Sequence, residues 1–480
     1  MTYFKDISEN ELSAFHDSYS GNPLCRAVTN ALYKTAVNDI SFRPAARKDV
    51  QFTFSVDIPT MKVTNQKASG RCWIFAALNT LREQIAKKCN IPQFELSQNY
   101  MAFWDKLEKA NYFLESVIAL ADRPSDDRLL SFIEETGIAD GGQWDMFVNL
   151  VKKYSVIPKA AMEETFQSSN TRQMNRLVNT KLRQTAARIR AAYWENETAG
   201  CTSENETAAA QGTVPARTWA GEPAPMSAQT EEKLRAIKEN ALDELYRIFS
   251  MCFGEPPKTF DFEYRDKDKN YHIDRNLTAK EFYDKYVGWD LENDFVSVVN
   301  SPTEDKPFYQ TITIDYLGNV AEGRPVHYLN VPMDELKSLI IAQLKDGEIV
   351  WFGSDVGHSG ERDLGIWSRG CFDYDGTFGM KFGMTKEERL NNRESAMNHA
   401  MCVTGVSLDE NGSPVKWKIE NSWSDEHGDK GYYIMDDEWF DNFVYQASVH
   451  RKYLSEKQTE ALGSEPLHFF PWDPMGTLAD

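Results

Sequence analysis

Apolar positions along the chain switch between helical and strand-like spacing, and the switches outline its elements. From Asn65 to Arg82 the sequence reads NQKASGRCWIFAALNTLR. Small and polar residues from Lys67 to Arg71 suit a turn, and Phe75, Leu78, Leu81 and Ile85 then recur every three or four residues. This spacing predicts a loop that enters a buried amphipathic helix at Cys72. Upstream, Ile7 to Tyr33 predicts two short helices divided at Asn22-Pro23, and the period-two alternation of Phe52, Phe54 and Val56 predicts a strand within Val50 to Val63. Ser97 to Leu120, with Tyr100, Phe103, Trp104, Leu107, Tyr112 and Phe113, fits one or two buried helices. Ile138 to Trp144 is a turn containing Gly141-Gly142, followed by a short helix from Phe147 to Tyr154.

The pattern changes between about Glu163 and Asn330. Arg172 to Ala192 predicts a polar amphipathic helix with Met174, Leu177, Val178, Leu182 and Ile189 on one side. Glu195 to Gln229 is rich in Ala, Thr, Glu, Gly and Pro and is expected to be a flexible surface loop. Phe260, Phe262 and Tyr264 alternate, Asp266 to Asn270 turns, and Tyr271 and Ile273 resume the alternation, which predicts a hairpin. Thr278 and Glu281 have capping-box spacing. Helical and strand patterns then return: a helix from Met333 to Leu344, a stop at Gly347, and strands over Glu348–Gly353, from His399 to Val406 and over Val415–Asn421. The expected organisation is residues 1–162, an inserted subdomain over 163–330 that includes the 195–229 loop, a sheet domain over 331–462, and a terminal arm over 463–480.

Composition narrows the function. A net charge of −20 over 480 residues disfavours nucleic acid and anionic membranes as partners. Seven cysteines without a C-x-x-C motif suggest reduced thiols. No basic start leads into an apolar run and no segment approaches a membrane span, so a soluble, cytoplasmic protein is expected.

Three stretches carry candidate chemistry. A thiol at a helix N-terminus sits where unpaired N–H groups favour its thiolate, so Cys72 is a candidate nucleophile. Gln66, six residues earlier, is placed to donate beside the Cys72 N–H as an oxyanion hole. His399 opens an apolar strand and can face a cleft. Asn421 closes another strand and can orient an imidazole, with Trp423 covering the hydrogen bond. Gly141-Gly142 allows a substrate backbone to approach closely.

Taken together, Gln66 with Cys72-Trp73, His399-Ala400, and Asn421-Ser422-Trp423 with Gly431-Tyr432 resemble the papain superfamily of cysteine peptidases in order and spacing. The absence of a second cysteine before Ser69-Gly70-Arg71-Cys72, the long insert and the ending WDPMGTLAD resemble its bleomycin hydrolase and bacterial aminopeptidase C branch. The resemblance implies an α+β, papain-like two-domain fold, helical domain plus sheet domain, with an inserted helical and hairpin subdomain and a C-terminal arm in the active-site cleft. It implies Cys72 as nucleophile, His399 as general acid/base, Asn421 as orienting residue, Gln66 as oxyanion donor, and Gly141, Gly142, Trp423, Ala479 and Asp480 as substrate contacts. It further implies peptide substrates with a free N-terminus, a homohexamer, and no metal or organic cofactor. An endopeptidase with a differently placed arm is the alternative. Asp480 extends the branch's Leu-Ala ending by one acidic residue, so the register of cleavage stays open.

Overall fold

The structure, a computed structural model, describes residues 4–199 and 224–479. Asp480 and the 200–223 part of the expected loop lie outside the described residues. Among the described residues the core is a twelve-stranded sheet covered by helices. Across the sheet the strands run Leu467–Phe469, Thr311–Ile314, Tyr328–Asn330, Phe295–Val299, Val444–His450, Val350–Ser354, His399–Leu408, Pro414–Glu420, Tyr432–Asp436, Ile366–Trp367 and Gly360–Glu361. The remaining strand, Val56–Asp57, pairs alongside His399–Leu408.

The strand beginning at His399 lies well inside the sheet, antiparallel to both neighbours, with His399 opposite Ser354 and Cys402 opposite Glu420. Successive side chains of a strand point to opposite faces. Ala400 and Cys402 accordingly join the cluster formed with the large helices, whereas Met401 and Val403 join a second cluster under the helices Met333–Lys345 and Asp437–Phe443. Burial on both faces explains the unbroken apolar run.

The helical side is built from Cys72–Cys89, Gln98–Ala119, Trp144–Tyr154, Arg172–Ala199 and Ala228–Phe253. Cys72–Cys89 packs against the His399 strand. There Cys402 Sγ donates to the Ala76 carbonyl at 3.2 Å, Trp351 Nε1 donates to the Trp73 carbonyl at 3.2 Å, and Arg82 pairs with Glu420 at 2.7 Å. The expected hairpin forms between Phe260–Arg265 and Tyr271–Leu277, and the Thr278–Glu281 capping box closes at the next helix start.

Four expectations change. The expected 195–229 loop is narrower at both ends, since 195–199 continue the helix Arg172–Ala199 and residues 228–229 open the helix Ala228–Phe253. Within Val50–Val63 only Val56–Asp57 joins the ladder. Phe52 and Phe54 instead pack on a small cluster with Ala46, Ile366 and Ile434, and Pro59 has no N–H to extend the pairing. Leu177 is exposed although Met174, Val178, Leu182 and Ile189 of its helix are buried. The sheet also begins before residue 331, because Phe295–Val299, Thr311–Ile314 and Tyr328–Asn330, inside the stretch assigned to the insert, are fully buried strands of it.

Candidate active site

Cys72 is the first residue of its helix, and Arg71, which precedes it, provides no side-chain cap. The first N–H groups of a helix lack intrahelical acceptors, so this end is left to polarise whatever lies beside it. Instead of capping, the loop before Cys72 is tied down residue by residue. Gln66 N–H donates to the Ser422 carbonyl at 2.9 Å, Ala68 N–H to the Ser169 carbonyl at 3.0 Å, and Gly70 N–H to Asp140 Oδ2 at 2.9 Å. Arg71 is buried, binds both oxygens of Glu164 at 3.1 and 2.8 Å, and donates through Nε to Ser69 Oγ at 3.0 Å. Such a bidentate pair fixes a plane as well as a distance.

The Gln66 side chain lies inside this network. Its Oε1 accepts from the Ser422 hydroxyl at 2.6 Å, and its Nε2 donates to the Ser69 carbonyl at 2.6 Å. The amide is therefore oriented from both ends, and with two N–H bonds it keeps one beyond the Ser69 contact.

His399, Asn421 and Trp423 come together from two neighbouring strands and the loop after the second. His399 Nε2 donates to Asn421 Oδ1 at 2.8 Å, and that oxygen also accepts from Ser422 N–H at 2.7 Å. With Nε2 so engaged, Nδ1 is the nitrogen left for Cys72. Trp423 stacks on the His399 ring with centroids 4.7 Å apart. Across the cleft, Ala400 N–H donates to Cys72 Sγ at 3.4 Å, which places the thiol beside the backbone of the histidine strand. The structure thus brings Cys72, Gln66, His399, Asn421 and Trp423 into one buried site.

Electrostatics depart from the sequence expectation. Burial pushes the Cys72 thiol up to about 11, against N–H groups of Ala400, Trp73 and Cys72 that pull it down, while nearby Asp140 adds to the rise. The helix terminus was expected to favour the thiolate, but desolvation outweighs it in this closed arrangement. Burial likewise presses His399 down to about 4, opposed by the Asn421 contact. One proton passing from thiol to imidazole would create two charges that stabilise each other and oppose these desolvation shifts.

Gly141-Gly142 forms the facing wall, and the C-terminal segment lies on it. Gly142 N–H donates to the Leu478 carbonyl at 3.0 Å. A Cβ on Gly141 would meet that carbonyl oxygen at 2.3 Å and the Ala479 carbonyl carbon at 2.8 Å, and one on Gly142 would meet the Trp73 ring at 2.5 Å. Glycine is required at both positions by close approach. Leu478 is buried, and Thr477 Oγ1 donates to the Met397 carbonyl at 2.8 Å, two residues before His399. Ala479 borders a cavity of about 80 Å³ lined by Lys109, Tyr112, Phe132, Met146 and Pro471.

Several residues here carry no signal in the local sequence pattern. Asp140 and Arg71 read only as parts of turns, and nothing in the spacing singles out Lys106, Lys109 or Glu164. Each is revealed by partners far along the chain. Among the described residues, no group of three or more His, Cys, Asp or Glu side chains is placed to hold a metal ion.

Comparison with known proteins agrees with this geometry. The model of the Peptidase C1-like family matches residues 6–212 and 224–476. Aminopeptidase C of Lactobacillus delbrueckii subsp. lactis is 44% identical over 478 residues, 99% of each chain, and bleomycin hydrolase of Homo sapiens is 39% identical over 451 residues, 92% of each. The crystal structure of PepW from Lactobacillus rhamnosis HN001 superposes with a TM-score of 0.88 at 43% identity, covering 98% of this chain and 99% of that one. With the family model and full-length relatives in agreement with the papain-like architecture, the chain belongs to the Peptidase C1-like family.

Proposed function

We propose that the chain is a cysteine aminopeptidase that removes N-terminal residues from peptides by acyl transfer through Cys72. The observation that carries this reading is the seat of Leu478 and Ala479 on Gly141-Gly142, inside the cleft that holds Cys72. A peptide entering the cleft finds one side already occupied by the chain's own backbone, and in this reading that stop leaves one residue before the bond to be cleaved. The acidic Asp480, next in sequence, is the proposed partner of the substrate ammonium, and the names of the relatives favour the same activity.

In the proposed reaction His399 Nδ1 takes the Cys72 proton and the thiolate attacks the carbonyl carbon. The oxyanion is met by Gln66 Nε2 and the Cys72 N–H, where charge develops in a dry site. His399 then protonates the leaving amine, and a water deprotonated by His399 releases the acyl group. Asn421 and Trp423 keep the imidazole in one orientation throughout.

Self-association is also proposed, in a hexamer as the family resemblance implies. Its support is the helix pair Glu9–Gly21 and Pro23–Leu32, which contains no buried residue and leaves Leu12, Phe15 and Tyr19 exposed. Among the described residues no helix is long and apolar enough to cross a membrane, and a cytoplasmic site of action is part of the proposal.

The test is hydrolysis of a free-amine aminoacyl fluorogenic substrate beside its amino-blocked twin, with wild type, Cys72→Ala and a variant lacking residues 477–480. Activity on the free amine alone, lost in Cys72→Ala and extended to blocked peptides by truncation, is the expected result. Equal wild-type activity on both substrates would remove the stop from the mechanism.

A further inference from the structure

We propose that Asp140 is a positioning residue that ties the nucleophile loop to the Gly141-Gly142 seat, and so sets where along a peptide Cys72 attacks. The proposal rests on the aminopeptidase reading and adds to it the device that fixes its register.

Asp140 is buried and holds both sides at once. Its carboxylate accepts from Gly70 N–H at 2.9 Å, two residues before the nucleophile, and its own carbonyl accepts from Trp73 Nε1 at 2.7 Å, one residue after it. The residues that follow are the glycine pair on which Leu478 and Ala479 rest. Other bonds keep Asp140 itself immobile. Thr171 donates to Oδ2, Asn175 Nδ2 donates to Oδ1 at 2.8 Å, and Lys106 Nζ lies 2.6 Å from Oδ1.

The two lysines complete the frame. Lys106 and Lys109 are one turn apart on Gln98–Ala119, and both donate to the Ala139 carbonyl, at 2.8 and 3.1 Å. Lys109 also donates to the Gly141 carbonyl and pairs with Asp105 at 2.9 Å. The carbonyls on either side of Asp140 are thus fixed by buried ammonium groups, and the carboxylate between them is fixed to the thiol's own loop. A displacement of the seat relative to Sγ would move the scissile carbonyl out of attack distance, to which rate is steeply sensitive.

The groups facing Asp140 define a readout that a general packing defect would not reproduce. They are Lys106, Lys109 and Asp105 from the helix, Thr171 and Asn175 from beyond the seat, and Cys72 on the cleft side, with His399 past it. The Asp140 charge adds to the upward shift of the Cys72 thiol. Replacing it by a neutral amide therefore makes the thiolate easier to form even as the seat loosens.

The experiment uses the full chain with Asp140→Asn and the milder Thr171→Val. It measures kcat and KM on the free-amine substrate and its blocked twin, and the rate of Cys72 alkylation by iodoacetamide against pH. Expected for Asp140→Asn is a fall of about tenfold or more in kcat on the free amine, a several-fold loss of preference for free over blocked substrate, and an alkylation profile moved to lower pH. Thr171→Val should change the preference in the same direction by less. An unchanged preference ratio in both variants, whatever their overall activity, overturns the proposal. If wild type cleaves neither substrate, or both equally, the aminopeptidase reading fails and takes the register claim with it, whereas a wild-type preference left unchanged in both variants overturns the Asp140 claim alone.

Discussion

The two halves of the site are held by different forces. The cysteine half, from Gln66 to Trp73, has almost no regular structure before the helix, and beside two isolated backbone bonds it is fixed by charged and polar side chains: Arg71 on Glu164, Gly70 on Asp140, Gln66 on Ser422. The histidine half is fixed by ladder backbone. His399 begins a ladder strand opposite Ser354, and Asn421 follows directly on the strand ending at Glu420. A strand sets the height of its residues by register, and a slip of one residue would turn every side chain to the other face. A loop has no such register, so side chains must supply it. Charge substitutions should therefore damage the cysteine half selectively, and the seam between the halves should be the most costly place to disturb.

At that seam Arg82 bonds Glu420 at 2.7 Å, and Asn79 Nδ2 bonds the same oxygen at 2.9 Å, tying the cysteine helix to the residue before Asn421. Arg82→Met should cost about 3–5 kcal/mol in chemical denaturation, because buried Glu420 and half-buried Glu83 are left without their cation. Burial already pushes Glu83 up to about 7, and Glu420 is also raised, in each case against Arg82. The deficit should be largest in alkaline buffer and shrink as pH falls toward 7, because without Arg82 both carboxyls take up their protons at higher pH than with it. A loss under 1 kcal/mol would mean that apolar packing alone joins the halves.

Next in size is Gln66→Ala, which removes the proposed oxyanion donor and one polar tie of the cysteine half. We expect kcat to fall by about 10²–10³ with KM little changed. A fall in kcat/KM carried wholly by KM would assign Gln66 to ground-state binding instead.

The same contrast explains what could be seen in the sequence. Cys72, His399, Asn421 and Gln66 were legible because each lies in a short motif with its own spacing. The Phe260–Tyr271 hairpin and the Thr278 capping box were legible because their determinants lie within a few residues. Asp140 was not, since its partners Gly70, Lys106, Thr171 and Asn175 come from separate elements. Nor was the early start of the sheet, because Phe295–Val299 becomes a sheet strand through its pairing with the distant Val444–His450 and with Tyr328–Asn330. Local periodicity reports the element, and long-range partners decide its place.

The halves should also fail at opposite ends of the pH scale. An imidazole held at about 4 in the fold and 6.5 when free is protonated first in the unfolded chain, so His399 withdraws stability as pH falls from about 6.5 to 4. A thiol held at about 11 against 9.0 loses its proton first in the unfolded chain, so Cys72 withdraws stability as pH rises from about 9 to 11. Each effect is about 3 kcal/mol at the far end of its window. His399→Asn should flatten only the acid limb of the unfolding free energy and Cys72→Ala only the alkaline limb. If either variant flattened both limbs, the two groups would be titrating as one pair.

The smallest effect should come from a second ion pair at the same seam. Lys62 lies 2.9 Å from Asp425, with the two side chains 65% and 45% exposed. It spans the same two halves as Arg82, whose NH1 donates to the Lys62 carbonyl at 3.1 Å. Water already solvates both exposed charges, so their attraction is screened and is offset by the entropy of holding two long side chains. Lys62→Ala should therefore change unfolding free energy by less than about 1 kcal/mol, with kcat unaltered and the remaining difference removed by added salt. An effect approaching that of Arg82→Met would mean that charge joins the halves regardless of burial. A negligible one would locate the joint in the desolvated Arg82–Glu420 contact, where removing one partner strands the other.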